Sequence, residues 1–209
     1  MQEYRVGESQ QQHLSFVFDQ TVEVQDMHIR VYAERNAIAV VEILIVNVSI
    51  DIKLDCIMQG EGADVCIKGI YLVNASHKVT ITTMQHHKTA YTRSNLIIRG
   101  VVHDNAQVHY HGTIRVEKEA HGTHASQENK NMVMSSGARV ISVPNLEVFA
   151  HDVRCFHGSA IGKFDKEQLL YITSRGIDEK VAQKLLLQAF FGDFFVDAML
   201  NERVHELIG

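Results

Sequence analysis

The 209 residues carry a net charge of −5, 45% hydrophobic side chains, nine Phe, six Tyr and no Trp, so a sizeable core must be packed mainly from Val, Ile, Leu and Ala. A chain of this length fits one all-β core with an appendage. Nucleic acid is excluded as a partner, because no run of Lys and Arg interleaved with aromatics is present to follow a phosphate backbone. No apolar run approaches the roughly 20 residues a membrane helix needs, and the polar start MQEYRVGESQQQH lacks the order of a signal peptide. Cys56, Cys66 and Cys155 are odd in number and have no C-x-x-C spacing, which points to a reducing cytoplasm rather than a disulfide framework.

Residues 1–13 read as a disordered or truncated start, and strands are expected from Leu14, with SFVF and then MHIRVY. The clearest pattern follows. Val46, Val48, Ile50, Ile52, Leu54 and Cys56 alternate with Asn47, Ser49, Asp51, Lys53 and Asp55, which predicts a one-sided β surface with Cys56 as a buried structural thiol. Turn chemistry recurs at QGEGAD (59–64), Asn74–Ser76, HDNA (103–106) and SSGA (135–138), with strand-like runs between. A sandwich, a barrel and a β-solenoid all satisfy this pattern, and no strict repeat separates them.

From Val108 to Glu117 a second alternation places Val108, Tyr110, Gly112, Ile114 and Val116 inward and His109 and His111 outward. The stretch KEAHGTHASQENKN (118–131) is polar, and a strand is expected to resume only at MVMS. The segment PNLEVFAHDVRCFHGSAIG (144–162) holds the one proline and marks the change from strand to helix patterning. Beyond it Asp165 with Gln168 forms a capping-box pattern, Gly176 is placed to end that helix, and Asp178 caps the next. In the second helix Val181, Leu185, Ala189 and Phe190 form an apolar stripe, which Gly192 kinks or ends before DFFVDAML. Phe190, Phe191, Phe194 and Phe195 concentrate aromatic surface in this tail. The expected division is 1–13, a β core over 14–162, and a helical domain over 163–209.

Cys155 and His157 stand two apart, so on a strand they share a face with Val153. By residue pattern alone this is a half-buried strand end with a satisfied histidine. His109 and His111 have the spacing of two metal ligands but lack an evident third, while the adjacent His86 and His87 must point to opposite faces. His121 and His124 lie in the polar stretch and read as surface positions. No Ser/His/Asp order, P-loop or dinucleotide fingerprint is present, so nothing marks the chain as an enzyme.

The run from Thr123 to Phe190 resembles the carboxy-terminal core of the SufB/SufD proteins of iron–sulfur cluster assembly, and NLIIRGVVHDNAQVHYHGTIRVEKEA (95–120) is similar to the preceding family segment. The most specific matches are PNLEVFAHDVRCFHG, Ser174–Gly176, and the order of Gln127, Asn129 and Asn131. Cys155-Phe156-His157-Gly158 is similar to the SufD pattern C-x-H-G-A-T-x-G, with Ser159 and Ala160 where the family has Ala-Thr. The resemblance implies a right-handed parallel β-helix followed by a helical domain. It implies a non-catalytic scaffold that pairs with a SufB-like subunit, or with itself as a homodimer, and docks a SufC-like ABC ATPase through its terminal helices. Val181, Leu185, Ala189, Phe190 and Phe194 are then the expected ATPase-binding residues. His157 and Cys155 are the expected metal ligands of a transient iron–sulfur cluster. About four thiolates or a thiolate–imidazole mixture normally hold such a cluster, so a shared site with ligands from the partner chain is expected. Two other classes compete: a β-helix enzyme acting on carbohydrate, disfavoured by mixed outward positions and the lack of Trp, and a purely structural dimerising β-helix.

Overall fold

The computed structural model describes residues 1–21 and 25–208, in two compact units, Met1–Gly162 and Lys163–Gly209. The first is a parallel β-solenoid. Its strands are Gln2–Val6 (β1), Gln11–Phe18 (β2), Asp26–Ala33 (β3), Ile38–Val46 (β4), Ile50–Met58 (β5), Asp64–Val73 (β6), Lys78–His87 (β7), Arg93–Val102 (β8), Gln107–Val116 (β9), His124–Val133 (β10), Arg139–Val148 (β11) and Arg154–Lys163 (β12). Successive strands alternate between two sheets, ordered β1-β3-β5-β7-β9-β11 and β12-β10-β8-β6-β4-β2, so each strand pairs in parallel with the strand one turn further on.

The turns differ in length. Register partners are 25 residues apart at Asp26↔Asp51, 29 at Lys78↔Gln107 and 32 at Gln107↔Arg139. This drift hides the repeat in the sequence, because the corners absorb insertions while the strands stay stacked.

The inward face is the one expected for β5. Ile50, Ile52, Leu54 and Cys56 are buried in the apolar core with Ile29 and Val31 of β3 and Val41 and Ile43 of β4. Burial of each large aliphatic contributes roughly 1.5–3 kcal/mol on an extended-chain reference, an upper bound. One detail differs. The alternation from Val46 to Cys56 is not a single strand, since the chain turns at Asn47, whose φ is +46°. Ile45 and Val48 join the inner core and Val46 does not, so the corner shifts the phase by one residue.

Every corner leading from the first sheet to the second contains a left-handed residue: Ser9, Asn36, Gly62, Tyr91, Gly122 and Asp152. These corners stack. The N–H of Ser9 donates to Arg35 O, Asn36 to Glu61 O, Gly62 to Ala90 O, Tyr91 to His121 O and Gly122 to Asp152 O, at 2.7–3.4 Å. The left-handed conformation aims the amide along the solenoid axis, and the ladder satisfies backbone donors that a corner would otherwise strand. Asn and Gly meet this demand readily, whereas Tyr91 adopts it with its ring exposed.

Three expectations are corrected. Residues 1–13, expected as a disordered or truncated start, are ordered and contain β1 and the beginning of β2, because Val6 reaches the core while the intervening polar side chains face outward. The polar stretch 118–131 contains most of β10, whose Gln127, Asn129 and Asn131 point inward and are buried. Hydrophobic alternation cannot reveal a strand whose inner face is carboxamide. The tail also holds a third helix that the pattern after Gly192 did not indicate.

The second unit has Lys166–Thr173 (α1), Glu179–Phe191 (α2) and Ala198–Leu207 (α3). Asp165 accepts from the N–H groups of Glu167 and Gln168, Asp178 from that of Lys180, and Asp197 from that of Met199. Each carboxylate satisfies amides that the helix start leaves free. Gly176 is left-handed at φ +87° beyond α1, and α2 ends at Gly192. The Asn201 carboxamide then holds both the N–H and the carbonyl of Phe195 at 2.8 Å, fixing the approach to α3. No helix among the described residues is long and apolar enough to cross a membrane.

Candidate functional site

The solenoid interior changes character along its axis. The first turns are lined by Ile, Val, Leu and Ala, but β7, β8 and β10 contribute Thr83, Gln85, His87, Ser94, Gln127, Asn129 and Asn131 to the inside, all buried. Ala37 and Ala63 follow the corners of the early turns, whereas the fully buried Thr92 and Thr123 follow those of the later ones, with their hydroxyls 3.1 Å apart.

A hydrogen-bonded network results. The His87 ring bridges Thr92 Oγ1 and Ser94 Oγ, each at 2.8 Å, and Ser94 Oγ accepts from Gln85 Nε2 at 2.7 Å. Burial, assisted by the neighbouring His86, pushes the His87 imidazole down to about 3, so it is neutral in the folded protein. Towards the last turn Asn131 Nδ2 donates to Asn129 Oδ1 at 2.6 Å, Ser142 Oγ donates to the same oxygen at 2.9 Å, and Ser159 Oγ donates to Ser142 Oγ at 2.8 Å. Some capacity is unused. Gln85 Oε1, both amide atoms of Gln127 and Asn129 Nδ2 are buried without a hydrogen-bond partner.

This network runs out at β11 and β12, the last strands of their sheets. Arg154 N donates to Thr123 O, which continues the parallel stacking and brings Cys155 level with Ala125 and His157 level with Gln127. Cys155 is half-buried against Ile114, Val116, Ala120, Ala125 and Ala150, while His157 is exposed. Burial raises the Cys155 thiol above its ordinary value, opposed by a hydrogen bond from the backbone of Ala125. The two side chains therefore share the inward side of the last strand of its sheet, the common face that their spacing implied. Around them Leu146, Val148, Phe149, Phe156 and Ile161 are all more than a third exposed, a concentration of apolar surface at strands with one neighbour each.

The other histidines separate cleanly. His109 and His111 are outward and exposed, as expected. His86 faces out to Glu117 Oε1 at 2.8 Å while His87 faces in. Among the described residues no three His, Cys, Asp or Glu side chains converge as a set able to hold a metal ion. What the sequence did not reveal is the polar interior, since a buried His or Gln differs from a surface one only through its neighbours in space.

In the helical unit Val181 and Leu185 are 49% and 43% exposed, and Ala189 lies on the same exposed side. Phe190 is half-buried. Phe194, expected among the ATPase-binding residues, is only 7% exposed and packed edge-on against Phe195, so it presents little surface. A crevice of about 330 Å³ lies beside the exposed stripe, between Lys180, Val181, Lys184 and Leu187 of α2 and Ile208.

Comparison with known proteins matches residues 7–190 to the SufBD core domain of SUF system FeS cluster assembly. An iron–sulfur cluster assembly SufBD family protein of Mycobacterium leprae is 32% identical over 157 residues, covering 71% of this chain and 39% of that protein. The iron–sulfur cluster assembly protein SufD of Escherichia coli is 28% identical over 151 residues, 72% of this chain and 36% of its own. A SufBD family protein of Synechocystis is 35% identical over 100 residues, 48% and 22% respectively. The chain thus spans about two fifths or less of the length of these relatives. With a parallel β-solenoid, terminal helices and a family match across most of its length, this chain belongs to the SufBD core domain family of iron–sulfur cluster assembly.

Proposed function

We propose that this protein is a SufD-like, non-catalytic scaffold subunit of a cytoplasmic SUF complex. It pairs through the β11–β12 end of its solenoid with a SufB-like subunit, and docks a SufC-like ABC ATPase through the exposed face of α2. The observation that carries the reading is the placement of His157 and Cys155 side by side on a terminal strand, amid exposed apolar residues. An imidazole and a thiol are two ligands of the roughly four that a cluster takes. In this reading the partner supplies the rest, so the cluster is cargo held transiently across an interface. Cys155 binds as the thiolate, and its raised affinity for a proton means that cluster uptake strengthens as pH rises.

The test is anaerobic reconstitution of the co-purified SufB–SufD-type pair carrying His157→Ala or Cys155→Ser. The proposal expects loss of sulfur-to-iron absorption with the pair still assembled, and unchanged cluster yield in both variants overturns it. Docking is tested separately by Leu185→Glu, which adds a charge to an exposed face without touching the core. Retention of full ATPase affinity excludes that face.

A further inference from the structure

Next to the terminal-strand site, the solenoid surface combines unpaired positive charge with concavity. A groove of about 500 Å³ crosses the entry ends of β6, β8, β10 and β12, its lining including Arg93, Asn95, His124, Arg154, Phe156 and the Cys155 already described, with Asp64 at one end. Asp64, Arg93, His124 and Arg154 head their strands. Asp64 pairs in register with Arg93 and Arg93 with His124, and the bond from Arg154 N to Thr123 O adds Arg154 to the column. In-register parallel strands lie about 4.8 Å apart, so Arg93 and Arg154 are roughly 10 Å apart at the backbone with His124 between them. That is a span two arginine side chains close around a small anion.

The two guanidiniums differ from those of Arg30, Arg35 and Arg115, and among the described residues share their unpaired state with Arg139, which lies outside the groove. Arg30 pairs with Glu3, Arg35 with Glu8, and Arg115 with Glu117, whereas among the described residues neither Arg93 nor Arg154 forms an ion pair or a side-chain hydrogen bond. Asp64 stands at the first-turn end of the groove and bounds it there without engaging Arg93 in an ion pair. The floor is polar and oriented: Ser126 Oγ donates to Asn95 Oδ1 at 2.7 Å, which leaves the Asn95 amide hydrogens available to the groove. At the far end the Phe156 ring is 62% exposed. The chain as a whole is negative, at −5, so a general attraction for anions does not account for the feature.

We infer that this groove binds a phosphoryl group, with Arg93 and Arg154 as the paired cations and Asn95 as a neutral donor. A tetrahedral dianion matches two guanidinium forks, each able to donate two parallel hydrogen bonds. The group is either free phosphate or the phosphate of a monoester whose apolar part rests on Phe156. Cys155 also lines the groove, so the site borders the proposed cluster ligands, but its cations and donor are other residues and its binding is read without a cluster.

The experiment is calorimetric titration of the 209-residue chain with inorganic phosphate and, separately, phenyl phosphate, at fixed salt. Saturable binding is expected, weakened about tenfold or more by Arg93→Gln and by Arg154→Gln, the loss of a charge-assisted hydrogen bond pair, and lost in the double variant. Circular dichroism melting of these exposed-site variants confirms that they fold. Phe156→Ala separates the sources: weaker phenyl phosphate binding with phosphate unchanged assigns a monoester, and no change in either assigns free phosphate. Absence of saturable binding, a double variant within twofold of the parent, or equal weakening by the distant Arg5→Gln overturns the proposal.

Discussion

The hydroxyl of Tyr71 donates to the side-chain oxygen of Asn131, two turns further along the solenoid. The register explains how. Tyr71 pairs with Gly100 and Gly100 with Asn131, so the ring lies over the one position in that column without a side chain. A Cβ at Gly100 would fall 1.9 Å from the Tyr71 ring, too close to be absorbed by a small shift. Gly100→Ala is expected to lower stability by about 1–3 kcal/mol through overpacking, measured by urea unfolding. Tyr71→Phe leaves the buried Asn131 oxygen without that donor and is expected to lose roughly 1–3 kcal/mol. Equal stability of either variant and the parent would contradict this packing.

His87 predicts an acid limb of the stability curve. Its ordinary value of 6.5 applies in the unfolded chain and about 3 in the folded one, so between these pH values the unfolded state binds the extra proton. Stability contributed by neutral His87 is therefore full above pH 6.5 and is lost as pH falls towards 3. The contribution to the slope is up to about 1.4 kcal/mol per pH unit. His87→Gln, compared with the parent by urea unfolding at pH 7 and pH 5, should reduce that dependence. An unchanged difference between the two pH values would show that His87 is solvated.

The three thiols should differ in reactivity. Cys56 is buried and burial, with Asp55 nearby, pushes its thiol far up, so it is expected to resist alkylation until the solenoid unfolds. Cys66 and Cys155 are half-buried, and burial raises both. They should label in the native state more slowly than a free thiol, with rates that climb with pH. Peptide mapping after iodoacetamide treatment measures this, and early labelling of Cys56 would refute its placement.

Asp178 caps α2 through its bond to the Lys180 amide. Asp178→Ala should destabilise that helix by about 1 kcal/mol, seen as faster amide exchange in its first turn. Because Val181 lies in that turn, the same variant should weaken any complex docked on the exposed stripe, while Asp178→Asn restores most of the cap. No change in exchange would show that the cap contributes nothing.

Much of the fold was readable wherever burial is apolar. The inward positions of β5 and β9 follow from strict alternation, and the helix starts at Asp165 and Asp178 from side-chain oxygens placed before helical runs. Legibility ended where the inside is polar. Gln127, Asn129 and Asn131 belong to the core, yet hydropathy ranks them with surface residues, and only the hydroxyls and amides stacked around them make their burial tolerable. The solenoid repeat was hidden for a related reason: it resides in backbone corners, and a left-handed corner built from Ser9, Asn36, Gly62 or Tyr91 leaves no shared side chain to recognise. At the candidate site, spacing placed Cys155 and His157 on one side, but not on the last strand of a sheet.

The corner ladder gives the solenoid a direction of wear. Each left-handed amide is shielded by the carbonyl of the turn after it, so detaching the Asp152 corner lets water reach the Gly122 amide and leaves those of Tyr91, Gly62, Asn36 and Ser9 covered. Exchange from this end is therefore ordered, like slates lifting from one eave. When the Asp152 corner detaches, the turn it releases is the one bearing the proposed cargo ligands Cys155 and His157, and the corner bonds of the turns behind it stay made.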